Sequence, residues 1–74
     1  MFDCNPFKHV IGRRVVVSAR NHVWRGTLTA YRDEWITLTD AEYVDAHSTR
    51  SVDGTLMLPE DRIDYLQVVW ETRA

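Results

Sequence analysis

The stretch RGTLTAYRDEWITLTDA, residues 25–41, constrains the fold more than any other part of the chain. On either side of Arg32-Asp33-Glu34, apolar and polar residues alternate with the period of two that a half-buried strand requires. Trp24, Gly26, Leu28 and Ala30 fall on one face of the first strand, and Arg25, Thr27 and Thr29 on the other. In the second strand Ile36 and Leu38 point inward. Only three charged residues separate the two runs, so the chain must reverse tightly into an antiparallel pair. Gly26, in the middle of its strand, marks a sharp bend or a close backbone approach, as at a barrel corner.

The remaining residues extend this reading. Asn5-Pro6 is a helix start, with Asn5 as N-cap and Pro6 at the first helical position. PFKHVIG then gives about one and a half turns, with Phe7, Val10 and Ile11 at i, i+3 and i+4 on one face. Gly12 closes it. RRVVVSA (13–19) reads as a β-branched strand, and Arg20, Asn21 and His22 as a turn in which Asn21 tolerates positive φ. VWRGTLTAY (23–31) and WITLTD (35–40) are the strands above. Residues 41–54 are polar, with turn signals at both ends. TLMLPE (55–60) and RIDYLQVVW (62–70) read as two further strands, and Pro59, which cannot donate to a ladder, marks a strand end. The expected architecture is mainly β: a short N-terminal helix followed by a five-stranded, strongly bent open β-barrel. One domain is expected over 1–74, with its core at about 6–69.

Composition limits what such a barrel can do. A chain of 74 residues with 45% apolar residues builds a thin core, and domains of this size are commonly stabilised by disulfides, metals or oligomerisation. Cys4 is the only cysteine, which excludes an internal disulfide, and no His/Cys cluster has zinc spacing. Oligomerisation is the remaining route. The first residues, MFDCNPFKHV, are neither basic nor followed by an apolar run, so no signal peptide is expected. No stretch approaches the roughly 20 apolar residues that span a bilayer. A cytoplasmic protein without a membrane partner is expected.

A net charge of −2 and a pI near 5.8 do not describe a strongly basic nucleic-acid binder. Eight of the nine basic residues are nevertheless arginine. That bias fits phosphate contacts and stacking, and it fits the codon usage of a GC-rich genome. With the small size, it is compatible with a bacterial or bacteriophage source.

The order of elements and the residues they carry resemble the Sm-like family, which includes the bacterial Hfq proteins. The resemblance rests on the short helix and β-branched strand, then Trp24-Arg25-Gly26-Thr27-Leu28, Ala30-Tyr31, WITLTDAE, and LMLPEDRIDYLQVV. It covers about residues 6 to 69. The length of the 32–34 loop fits Hfq-type spacing. The resemblance implies a homo-oligomeric ring of about five to seven subunits, closed by pairing the fourth strand of one subunit with the fifth of the next. Leu56, Leu58, Leu66 and Val68 are the implied interface residues. As unpaired edges those two apolar strands would be aggregation hazards.

The resemblance also implies RNA binding at the pore, but the matching positions differ. Arg32 stands where the family has an Asp. Glu34 stands where it has a base-stacking side chain, and Pro59-Glu60-Asp61 where it has Arg-Gly or Lys-His. Arg32 is expected opposite Glu60 and Asp61, as a charge-swapped pair of loops. Glu34, Glu60 and Asp61 around a pore would repel phosphate. Lys8, Arg13 and Arg14 form a candidate basic rim for RNA backbone, or ordinary solvated charge. Arg32, Trp35 and Arg62 are weaker candidates at the loops. Trp35 either stacks on a base or belongs to the core, and Trp70 is expected in interface or barrel-end packing. His9, His22 and His47 read as scattered surface residues. No catalytic constellation, metal site, cofactor or small-molecule substrate is indicated. The expected function is a ring-forming protein that binds RNA weakly through its rim. The alternative is a ring-forming structural or protein-interaction module.

Overall fold

The computed structural model describes residues 6–69. Six strands form one antiparallel sheet: β1 Arg14–Ala19, β2 His22–Arg32, β3 Trp35–Val44, β4 Thr49–Ser51, β5 Leu56–Pro59 and β6 Ile63–Val68. Their order is β4-β3-β2-β1-β6, with β5 also paired to β3. β4 and β5 thus occupy opposite ends of the same long strand: Val44 pairs with Thr49, and Leu38 with Leu56. No helix among the described residues is long and apolar enough to cross a membrane.

The sheet is strongly bent because its longest hairpin carries two bulges. Between Thr27↔Thr39 and Arg25↔Glu42, β3 has one residue more than β2. The extra residue is Asp40, which adopts a left-handed φ of 50°. Gly26 lies opposite. A Cβ added there would stand 3.1 Å from both the Ala41 Cα and the Thr39 carbonyl oxygen. The second bulge is at Thr29, whose hydroxyl donates to the Thr37 carbonyl at 3.3 Å. This extra residue reverses the alternation along the rest of β2. Tyr31, rather than Ala30, packs against the core, and Ala30 faces an outer cleft.

The core is small, as the composition requires. Val15, Val17, Leu28, Ile36, Leu38, Ala41 and Leu58 form one buried cluster, surrounded by half-buried Phe7, Val10, Trp24, Tyr31, Leu56, Ile63, Leu66 and Val68.

Four expectations are corrected. The N-terminal element is a 3₁₀ turn, Pro6–Val10, and not an α-helix. With three residues per turn, Phe7 and Val10 share a face and Ile11 does not. Ile11 is accordingly exposed, while the other two reach the core. Asn5, the expected N-cap, and Trp70 lie outside the described residues. The sheet has six strands and not five. β3 runs on through Asp40 to Val44, and β4 pairs with its end in a segment whose polarity suggested loop. All three β4 residues are exposed, so no apolar periodicity marks them. Finally, the turns hold two residues each, Arg20-Asn21 and Asp33-Glu34, all four at positive φ. His22 and Arg32 belong to the strands, as Ala19↔His22 and Arg32↔Trp35 are paired.

The close approach at Gly26 makes a direct prediction. Gly26→Val should lower stability by roughly 1–3 kcal/mol through overpacking against Ala41. Chemical denaturation measures this, and an unchanged midpoint would mean that the backbones move apart without cost.

Candidate nucleic-acid interface

The expected rim residues occupy the join between the 3₁₀ turn and β1. The turn is fastened to β2 by backbone bonds from Gly12 N–H to the Leu28 carbonyl (2.6 Å) and from Leu28 N–H to the Arg13 carbonyl (2.9 Å). Lys8 and Arg13 are exposed, and neither is without a partner. Arg14 is half-buried and already employed. Its Nη1 donates to Thr27 Oγ1 at 3.3 Å and to the Asp40 carbonyl at 3.2 Å. It therefore ties β1 to the Asp40 bulge, and any contact it makes to phosphate competes with that role.

The loop candidates are brought together more closely than the sequence suggested. Trp35 is 43% exposed and does not enter the core. It lines two adjoining clefts, each of about 500 Å³. One is bounded by Ala30, Arg32, Asp33, Thr37 and Met57. The other is bounded by Asp33, Glu34, Pro59, Asp61 and Arg62. Arg32 and Arg62 are both exposed, and among the described residues neither takes part in an ion pair.

The charge-swapped loop pair does not form. Glu60 accepts a hydrogen bond from the Tyr31 hydroxyl, and its backbone N–H donates to the Glu34 carbonyl at 2.7 Å. The Thr29 bulge explains this. It turns Tyr31 inward, where its ring also stacks on Phe7 at 5.5 Å, and sends Arg32 toward the outer cleft. Glu34, Glu60 and Asp61 do share one concavity with Ile63, so the acidic grouping is real.

The interface candidates divide by face. Leu58 is buried within the chain itself, so its side chain has little left to offer a partner. Leu56, Leu66 and Val68 pack on the core but stay partly open. Met57 (54% exposed) and Tyr65 (53% exposed) were not anticipated as surface apolar groups on the two edge strands. Strand alternation was the signal for both: each lies one residue from an inward-facing position.

Other side chains serve the sheet. Arg25 places Nε and Nη2 on Glu42 Oε1 at 3.0 and 2.7 Å, across β2 and β3. His22 shares a 2.8 Å hydrogen bond with the Tyr43 hydroxyl, and both rings lie against Trp24. Arg25 and His22 are therefore reinforcements of the bent hairpin.

The fold is that of solved Sm and Sm-like proteins. A heptameric archaeal Sm protein is 25% identical to this chain, with a TM-score of 0.75 over 85% of this chain and 94% of that one. The Pyrococcus abyssii Sm protein in complex with a uridine heptamer is 18% identical, with a TM-score of 0.75 over 88% and 99%. A chain of the NatC complex bound to CoA is 20% identical, with a TM-score of 0.74 over 92% and 90%. No family model and no curated protein sequence matches the chain.

The two roles open to Arg14 are separable. Arg14→Ala should destabilise the fold by about 0.5–1.5 kcal/mol, the net value of ordinary hydrogen bonds. Arg13→Ala, which leaves the bulge untouched, should change stability by less. Paired thermal melts decide this, and equal melting temperatures for the two variants would deny Arg14 its clamping role.

Proposed function

We propose that the chain is the subunit of a homo-oligomeric Sm-like ring, and that the ring holds single-stranded RNA by backbone contacts from a basic rim. One observation carries the ring. The sheet stays open, and besides the short polar β4 it has two apolar strands, β5 and β6, that are each paired on one side only. Each edge carries an exposed apolar side chain, Met57 on one and Tyr65 on the other. An edge of this kind pairs with another chain unless something blunts it. Since the two edges differ, their contact is heterologous and head-to-tail, and it closes when the rotation allows. The heptameric state of one structurally similar protein supports such closure.

The RNA half of the proposal is supported by the uridine heptamer bound to another similar protein. The acidic concavity of Glu34, Glu60 and Asp61 argues against repeating a pore contact here, because it disfavours phosphate. Lys8 and Arg13 are the solvent-facing rim cations, repeated by ring symmetry so that weak contacts sum to avidity. The two-residue turn at Asp33-Glu34 supports a relation to Hfq-type members, whose corresponding loop is short.

The same acidic concavity favours a second reading, a ring or hetero-assembly module that contacts protein and no RNA. The likeness to a chain of the multisubunit NatC complex supports it.

Native mass spectrometry should find a closed oligomer at micromolar concentration, and a stable folded monomer would defeat the ring. Met57→Lys with Tyr65→Lys should dissociate it while retaining the β-sheet circular dichroism, since each buried apolar side chain contributes about 1.5–3 kcal/mol. RNA affinity should fall steeply with salt, with a log–log slope near −0.7 per neutralised phosphate for a single strand. Lys8→Ala with Arg13→Ala should flatten that slope. No binding at low salt would select the protein-interaction reading.

A further inference from the structure

Met57 is an unusual choice for its position. It is the only methionine among the described residues, and it stands 54% exposed inside β5. Leu56 and Leu58 on either side of it pack in the core, so strand alternation sends Met57 to the outer face. A β-branched or aromatic side chain suits a strand position of this kind better. What methionine adds is a thioether, which is polarizable and open to reversible oxidation.

The surroundings of the residue bear on that chemistry. Met57 lines a cleft of about 500 Å³ together with Ala30, Arg32, Asp33, Trp35 and Thr37. A cleft of that size admits a small oxidant. Thr37 is the direct cross-strand partner of Met57, which puts both side chains on one face. The Thr37 hydroxyl and the Arg32 guanidinium are hydrogen-bond donors, and such donors assist the departure of a peroxide's leaving oxygen. The place of Met57 in the sheet then couples oxidation to assembly. The backbone of β5 is paired with β3 on one side only. In the ring proposed above, the next copy covers the other side, and Met57 with it. A thioether suits that apolar contact. A sulfoxide brings a polar oxygen that accepts hydrogen bonds, and burying it without a donor is unfavourable.

We propose that Met57 is a reversible oxidation site for hydroperoxides, and that its sulfoxide keeps the subunit out of the ring. The proposal rests on the ring reading above and adds a control on assembly. In the forward step a sulfur lone pair attacks one peroxide oxygen. An S–O bond forms and the O–O bond breaks. The sulfur is oxidised to the sulfoxide, and hydrogen peroxide is reduced to water as the proton of the attacked oxygen passes to the leaving one. The reverse step consumes a dithiol. The sulfoxide oxygen leaves as water, the thioether returns, and the dithiol becomes a disulfide. Since the ring covers Met57 and the sulfoxide disfavours the ring, each state protects itself by linkage: assembled subunits resist oxidation, and oxidised subunits resist assembly.

Hydrogen peroxide is the probe, applied to the full chain carrying Cys4→Ser so that the thiol does not contribute. In dilute, dissociated protein, peptide mass spectrometry should find an added oxygen on Met57. Native mass spectrometry should then find the oxidised subunits unassembled, with the concentration for half-assembly raised by roughly tenfold or more. A methionine sulfoxide reductase with a dithiol should restore the ring. The assembled ring, given the same peroxide, should gain the Met57 oxygen more slowly than the dilute subunit. Met57→Leu, which nearly conserves volume, should assemble and be indifferent to peroxide. Should that variant not assemble, oxidised and reductase-repaired protein are compared directly. Rings that form equally well from subunits oxidised at Met57 would overturn the proposal. So would peroxide-driven disassembly of Met57→Leu, or a Met57 that stays unoxidised in the dilute protein. Untreated protein that remains monomeric at every concentration would overturn the ring reading itself, and the switch with it.

Discussion

Everything in this fold hangs on the contact between Gly26 and Ala41. β2 and β3 are the two longest strands, and a flat pair of that length could not wrap a core of seven residues. The bend is made where an extra residue on β3, Asp40, is placed opposite the one residue of β2 that has no Cβ. Bulges increase local twist and bend the strand that carries them. Arg14 then holds the bend from the neighbouring strand by donating to the carbonyl of the bulged residue. The bend lets one strand, β3, serve two partners that lie far apart, β4 at its end and β5 at its start.

From that bend follows the openness of the sheet. β6 returns to pair with β1, not with β5, so the barrel has a gap between the last two strands. A larger core could leave such a gap unfilled. Here, among the described residues, the fully buried large side chains are five, Leu28, Ile36, Leu38, Val15 and Val17, and Leu56, Ile63, Leu66 and Val68 on β5 and β6 are only partly buried around them. In the proposed ring a second copy covers it, supplying paired backbone and apolar area together. The thin core and the open edges are thus one constraint viewed from two sides.

How much of this was legible in the sequence depends on whether the signal was local. Gly26 in an alternating run, the β-branched run of β1 and Pro59 as a strand end all carry their own physics, and they mark the bent sheet correctly. The 3₁₀ turn was misread because one and a half turns of chain offer little to separate three residues per turn from 3.6. β4 was missed because an edge hairpin exposed on both faces needs no apolar period. The Thr29 bulge is the most consequential omission. Threonine is an ordinary strand residue, so nothing local announces it, and yet it exchanges the faces of Ala30, Tyr31 and Arg32. The expected pairing of Arg32 with Glu60 and Asp61 failed for that reason alone.

The same reversal separates the two kinds of chemistry at this end of the molecule. Without the extra residue, Arg32 would lie on the side of Glu60, where a salt bridge would neutralise both. With it, Tyr31 takes Glu60, and the Glu34–Glu60–Asp61 concavity keeps its negative charge. Arg32 is released to the side of Trp35. One inserted residue in β2 therefore sorts Tyr31 to the side of Glu60 and Arg32 to the side of Trp35. Because Tyr31 also stacks on Phe7 of the 3₁₀ turn, this sorting is locked by the core packing of the N-terminal element. Surface charge reversal alone would not undo it, whereas loss of the bulge would.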